Sequence, residues 1–194
     1  MRLKIVQAGE AVLRTRAREL SREEIRSAEI RQLIEWMRET MRDAPGVGLA
    51  APQVGLALQL AVIEDREDLQ KTIAPERLAE RGRRPVPFHV IINPTLTLEG
   101  ESVEFFEGCL SVTGFVALVP RALRARVDCL NENGESVRIQ AEGWYARILQ
   151  HEIDHLHGTL YLDRMKSRSF MTVDHLTRHW NDLPMSEVKL RLGV

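Results

Sequence analysis

Cysteine is scarce. Cys109 and Cys129 are the only two in 194 residues, too few for a disulfide framework, so the chain reads as one kept reduced. No apolar run approaches the roughly 20 residues that a membrane-spanning helix needs. Charge of one sign is missing as well: 27 Lys+Arg against 28 Asp+Glu leave a net charge of -1. That balance offers no basic field for an anionic membrane or a specific nucleic-acid sequence. The opening Met1-Arg2-Leu3-Lys4-Ile5-Val6 has neither a signal h-region nor an Arg/Ser-rich leader, so the expected setting is a bacterial-type cytoplasm. Repeats and low-complexity tracts are also absent. What remains is an ordinary globular composition, 44% apolar, enough for one hydrophobic core.

Ser21-Arg22-Glu23-Glu24 has the form of a capping box. Beyond it Ile25, Ile30, Leu33, Ile34, Met37 and Met41 recur at helical spacing and predict one helix to about Arg42, stopped by Asp43-Ala44-Pro45-Gly46. Strand-like runs fall at 58–64, 89–93, 96–98 and 124–130. Asn133-Gly134 predicts a hairpin joining the last of these to 136–140. A second helix is expected from about Gly143 to His157, with Gly158 placed to end it. Residues 65–87 are polar and Arg-rich, with prolines at 75, 85 and 87, and read as a surface insertion. Residues 164–194 read as a C-terminal tail. The expected class is α+β: one domain, 1–194, of short antiparallel strands around a central helix.

That helix carries His151-Glu152-Ile153-Asp154-His155. Histidines four apart project from one face, one turn above the other, and can share a cation, with the intervening Glu free to act on a metal-bound water. Two histidines need a third ligand. A metzincin-type protease would have a third His where this chain has Tyr161. A thermolysin-like protease would offer a downstream Glu, and the nearest, Glu187, lies in a Pro-flanked stretch. Neither pattern closes. Upstream, Glu107-Gly108-Cys109-Leu110-Ser111 places a cysteine between a glycine and a strand-like run, a candidate thiolate ligand. Cys129, inside the hairpin strand, reads as a small buried residue. His175 and His179 form a second i,i+4 pair but lack an accompanying Glu or Cys, and with His157 they read as surface histidines. Gly46-Val47-Gly48-Leu49-Ala50-Ala51-Pro52-Gln53 leaves backbone groups uncovered. It lacks the Lys-Ser/Thr ending of a phosphate loop, and alone it reads as a turn.

Together these three segments resemble the motifs of the peptide deformylases, in order and with similar intervals, over nearly the whole chain. The resemblance implies a hydrolase that removes the N-formyl group from the formyl-methionine of nascent polypeptides and releases formate. Carried over by motif position, Cys109, His151 and His155 would bind one divalent metal ion, Fe(II) natively, with Zn(II), Ni(II) or Co(II) as substitutes. Metal-bound water would attack the formyl carbonyl, Glu152 would serve as general base and acid, and Gln53 with the Leu110 N–H would stabilise the oxyanion. Val47 and Gly48 would pair with the peptide backbone, and Val47, Trp144 and Ile148 would wall a methionine pocket. Glu107, Arg121 and Asp154 would support the ligands from behind.

The chain departs from many bacterial relatives in lacking an Arg near Val116, which puts one contact to the downstream peptide in doubt. The segments 143–149 and 169–174 look more like the organellar type 1A subgroup. Transient ribosome contact is a further expectation of the family. Two rival classes are a zinc endopeptidase and a non-catalytic, metal-stabilised binding module. Glu152 separates the latter from an enzyme, because a purely structural site closes its shell and has no use for a base.

Overall fold

The computed structural model describes Met1–Val194 and has mixed helix and antiparallel sheet, the expected α+β class. Its centre is strand β2, Leu60–Asp65, buried at every position between β1, Gly48–Ala50, and β3, Val86–Cys109. Side chains alternate across a strand, so these three strands serve two cores. Leu49, Leu60, Val62, Val90 and Ile92 meet Ile30, Leu33, Ile34, Met37 and Met41 of helix α2, Ala28–Asp43. Ala50, Ala61, Ile63 and Ile91 meet Ala146, Ile148, Leu149 and Ile153 of helix α4, Gly143–Leu156, on the opposite face. A sheet covered on both faces reads as near-continuous apolar runs, as 60–63 does.

The first helix differs from the single one expected. A short α1, Arg22–Ile25, ends, and Ser27 opens α2 with its side chain accepting the Ile30 N–H at 3.2 Å. A serine that can cap competes with helix continuation, and here the cap wins. The strands differ too. The runs 89–93 and 96–98 are pieces of the 24-residue β3, and 124–130 is the end of the 19-residue β4, Val112–Leu130. Asn93-Pro94 and Gly100, which look like breaks, fall where the register between β3 and β4 shifts. Asn93 takes a left-handed φ of 49° while its side-chain amide exchanges two hydrogen bonds with the Leu20 backbone. Bulges re-aim a strand without ending it.

Leu110 and Ser111 alone join β3 to β4, so the hairpin tip falls at Cys109. β5, Ser136–Glu142, pairs with β4 beyond Asn133-Gly134 and runs straight into α4. The segment 65–87 contains a short helix α3, Pro75–Arg81. After α4, β6, Met171–Thr172, adds to β4 at Val116 and Phe115, and α5, Val173–His179, and α6, Met185–Leu192, follow. The last of these buries Val188 against Phe106, Val116 and Leu118. No helix is long and apolar enough to cross a membrane.

Ile63 is fully buried between β1, β3 and α4. Ile63→Ala is expected to cost about 2–5 kcal/mol, read as a lower urea midpoint with an unchanged slope.

Candidate metal centre

Cys109 arrives at the end of β3, and His151 and His155 come from one face of α4. Cys109 Sγ lies 3.3 Å from His155 Nε2, which lies 3.2 Å from His151 Nε2; the three ligand atoms all fall within 4.8 Å of one another. Ligands on a tetrahedral first-row cation sit roughly 3.4–3.6 Å apart, so this donor set fits one ion. A soft sulfur with two imidazoles suits Zn(II) or Fe(II) alike. Two further donors face the sulfur, the Ser111 N–H and the Gln53 side-chain amide, both at 3.4 Å.

Behind the histidines stands Glu107, 5% exposed. It accepts the His151 Nδ1–H at 3.0 Å, which turns Nε2 toward the other ligands. Arg121 donates to both Glu107 oxygens at 3.0 Å and also to Asp154. Arg164 grips Asp154 with two bonds of 2.6 and 2.7 Å. Burial alone would raise the Glu107 pKa, but His151 and Arg121 outweigh it and hold the group far below the usual carboxylate range. Burial likewise opposes charge on His151, yet hydrogen bonds to Cys109 and Glu107 carry its pKa well above the histidine norm. Burial, reinforced by His151 and Arg121, keeps His155 well below its usual range and leaves it a neutral donor.

Glu152, between the two histidines, is 4% exposed. Burial pushes its pKa up to about 7, and Oε2 has no hydrogen-bond partner in the chain. Its carboxylate lies against Gly48, where a Cβ would come within 2.2 Å of Oε1. Glycine is needed at 48 for that close approach. The Gln53 side chain accepts the Ala50 N–H at 2.9 Å and directs its amide nitrogen at Cys109 and Ser111. The Leu110 carbonyl is held by Gln7, whereas its N–H has no acceptor within the chain.

These groups open onto a cleft of about 380 Å³ whose walls include Val47, Gly48, Leu110, Trp144 and Ile148. β1 is the sheet's terminal strand, so one of its edges has no partner strand. Thus Cys109, His151, His155, Glu152, Gln53, Leu110, Val47, Gly48, Trp144 and Ile148 meet in one place, with Glu107, Arg121 and Asp154 packed behind them. His157, His175 and His179 lie apart and exposed, and Cys129 is buried.

The sequence reading missed Arg147, Arg164 and Tyr161. Arg147 is 3% exposed and donates to Glu107 at 2.6 Å and to the Val119 and Val103 carbonyls. Its signal was position: it stands one helical turn before His151. Tyr161 is buried, stacks on His151 with centroids 6.5 Å apart, and donates to the Phe115 carbonyl.

Gly48→Ala should leave metal content at the parent level while forcing the Glu152 carboxylate aside. A misplacement of about 1 Å typically costs on the order of 10²-fold in rate. Metal quantification, a crystal structure of the variant and its hydrolytic turnover would check both halves of that expectation.

The geometry has close counterparts. The family model described as polypeptide deformylase matches residues 2–170. Peptide deformylase 1A, chloroplastic, of Solanum lycopersicum is 47% identical over 191 residues, 98% of this chain and 67% of that protein. Peptide deformylase 3 of Streptomyces avermitilis is 43% identical over 98% of this chain and 84% of its own. Among solved structures, a Synechococcus elongatus peptide deformylase in complex with actinonin superposes with a TM-score of 0.73 at 39% identity, covering 86% of this chain and 82% of that one. A Met-Ala-Ser-bound class I type b enzyme from Acinetobacter baumannii superposes at 0.75 with 32% identity, over 85% and 99%. Sequence and fold agree over most of the length, and the chain belongs to the polypeptide deformylase family.

Proposed function

We propose that this cleft hydrolyses the formyl group from the formyl-methionine of nascent polypeptides, releasing formate and a free α-amine. The observation that carries the reading is the convergence of Cys109, His151 and His155 beside a buried, unpaired Glu152. Three ligands with a carboxylate alongside suit a catalytic site that keeps one position open, and do not suit a closed structural one. A divalent cation bound there supplies Lewis acidity, lowering the pKa of a water molecule and polarising the formyl oxygen.

The chain's own groups do the rest. Glu152 takes the proton of the attacking water and returns it to the departing amine nitrogen, a poor leaving group until protonated. Its burial and its lack of a hydrogen-bond partner in the chain leave the carboxylate free for that exchange. The Gln53 amide and the Leu110 N–H donate to the oxyanion; loss of one such donor typically costs about 2.7–4 kcal/mol in the transition state. The free edge of β1 at Val47 and Gly48 receives the peptide as an added strand. Val47, Trp144 and Ile148 enclose the methionine side chain. Glu107, Arg121 and Asp154 orient His151 from behind.

Fe(II) is the native ion in this reading, with Zn(II), Ni(II) or Co(II) able to replace it. The protein works as one catalytic domain, with 65–87 an insertion and 164–194 a tail. It acts in a cytoplasm of bacterial type and meets the ribosome transiently.

Anaerobically purified protein with one metal per chain should release formate from formyl-Met-Ala-Ser and stop on chelation. Glu152→Ala should keep its metal and lose about 10²–10⁴-fold in turnover; near-parent turnover in that variant would remove the mechanism. Iron-loaded protein should lose activity in air as the metal or Cys109 oxidises. Activity that survives prolonged aerobic handling of verified iron protein would argue for another native ion.

A further inference from the structure

Residues 65–87 do more than cover the surface. Arg83 lines the same cleft as Trp144, Ile148 and His151. Its guanidinium is fixed by two hydrogen bonds, 2.8 and 2.9 Å, to Asp65, whose side chain is fully buried. It also lies 5.4 Å from the centroid of the Trp144 indole, and Arg81 from the same segment lies 5.3 Å from it. With Arg147 at 5.8 Å, three guanidinium groups surround one indole. Planar guanidinium groups stack well on such rings, so the segment holds the indole in place.

We propose that this segment is a fixed wall of the first-residue pocket, and that Arg83 restricts the pocket to unbranched side chains of about methionine's size. The proposal deepens the deformylase reading and rests on it. Arg83 has its charge matched by Asp65, so it adds to the cleft wall a fixed bulk and not a free cation. Size, then, is what it selects. The wall is anchored at both sides. Gly82 and Gly143 bring two backbones together so closely that a Cβ on Gly143 would lie 2.9 Å from the Arg81 and Gly82 carbonyls. At the other side Arg77 donates to the Asp182 carbonyl at 2.9 Å, and Glu80 accepts the Met185 N–H at 3.2 Å. A segment packed against α4 at Gly143, hydrogen-bonded to the tail, and braced internally by a buried ion pair is not built as a lid.

The test compares kcat/KM for formyl-Met-Ala-Ser and formyl-Phe-Ala-Ser in metal-replete parent and variants. Asp65→Ala with Arg83→Ala removes the pair together, so no buried charge is left unpartnered. The Met/Phe ratio should fall about tenfold, the scale on which pocket size discriminates, chiefly through a gain on the Phe peptide. Arg77→Ala removes the bond to the Asp182 carbonyl and the pair with Glu80 while leaving the Asp65–Arg83 pair in place, and should hold the ratio within about twofold. If the double variant does not fold, Arg83→Lys keeps the charge but loses the paired bonds and the flat stack, and should lower the ratio part of the way. An unchanged ratio in the folded Arg83 variants, or an equal fall in Arg77→Ala, would overturn the proposal. No formate from either peptide with parent protein would instead overturn the functional reading beneath it.

Discussion

Glu107 is the group on which the rest of the site depends. One buried carboxylate receives His151, Arg121 and Arg147, and it sits two residues before Cys109 on the same strand. The candidate metal ligands come from two elements distant in sequence, a hairpin tip and a helix, and a site of this kind requires that their separation be held to fractions of an ångström. Glu107 holds it by joining both sides through charge. Two arginines on one carboxylate would be wasteful at the surface, where ion pairs contribute little. In the interior the accounting differs, because each charge needs its partner and the loss of one leaves others uncompensated. The cluster extends through Arg121 to Asp154 and ends at Arg164, where the chain reaches solvent.

Seen this way, the sheet and helices divide the labour. β2 and its neighbours give α4 a rigid apolar bed, so the buried side of the helix is fixed before any polar group is considered. The stripe of α4 with Trp144, His151 and Glu152 faces the cleft, Ile148 reaches both cleft and core, and His155 lies just below. Gly48 brings the edge strand against the Glu152 carboxylate. The surface that would receive the peptide and the base that would act on it are thus in van der Waals contact, and one cannot shift without the other.

Much of this was legible in the sequence because it is local. The i,i+4 histidines, the Glu between them, the capping box at Ser21 and the Asn133-Gly134 turn each depend on spacing over a few residues, and each is where spacing puts it. What was not legible depends on partners far along the chain. Ser27 could cap or continue a helix, and packing decided. Asn93-Pro94 and Gly100 look like ends of strands, and only the opposing strand β4 makes them bulges. Nothing local marks Arg147 or Arg164; their roles appear only when Glu107 and Asp154 are brought beside them. Asp154 had the same ambiguity, and it is buried between two arginines. The arginines of 65–87 gave the segment the look of an exposed insertion, while two of them lie against an indole.

The first residues of the chain bear on how the site comes into being. The Val6 N–H is bonded to the Gln53 carbonyl, Ala8 to Ser111, and Ala17 to Leu156 at the end of the catalytic helix. Partners so widely separated impose a high contact order, which slows folding because loops must close before their contacts repay the cost. During synthesis the N-terminal segment leaves the ribosome long before α4 exists to receive it. Val6 can meet Gln53 early, but Ala8 must wait for Ser111 and Ala17 for Leu156. A chain truncated before α4 would present its cysteine hairpin without either histidine.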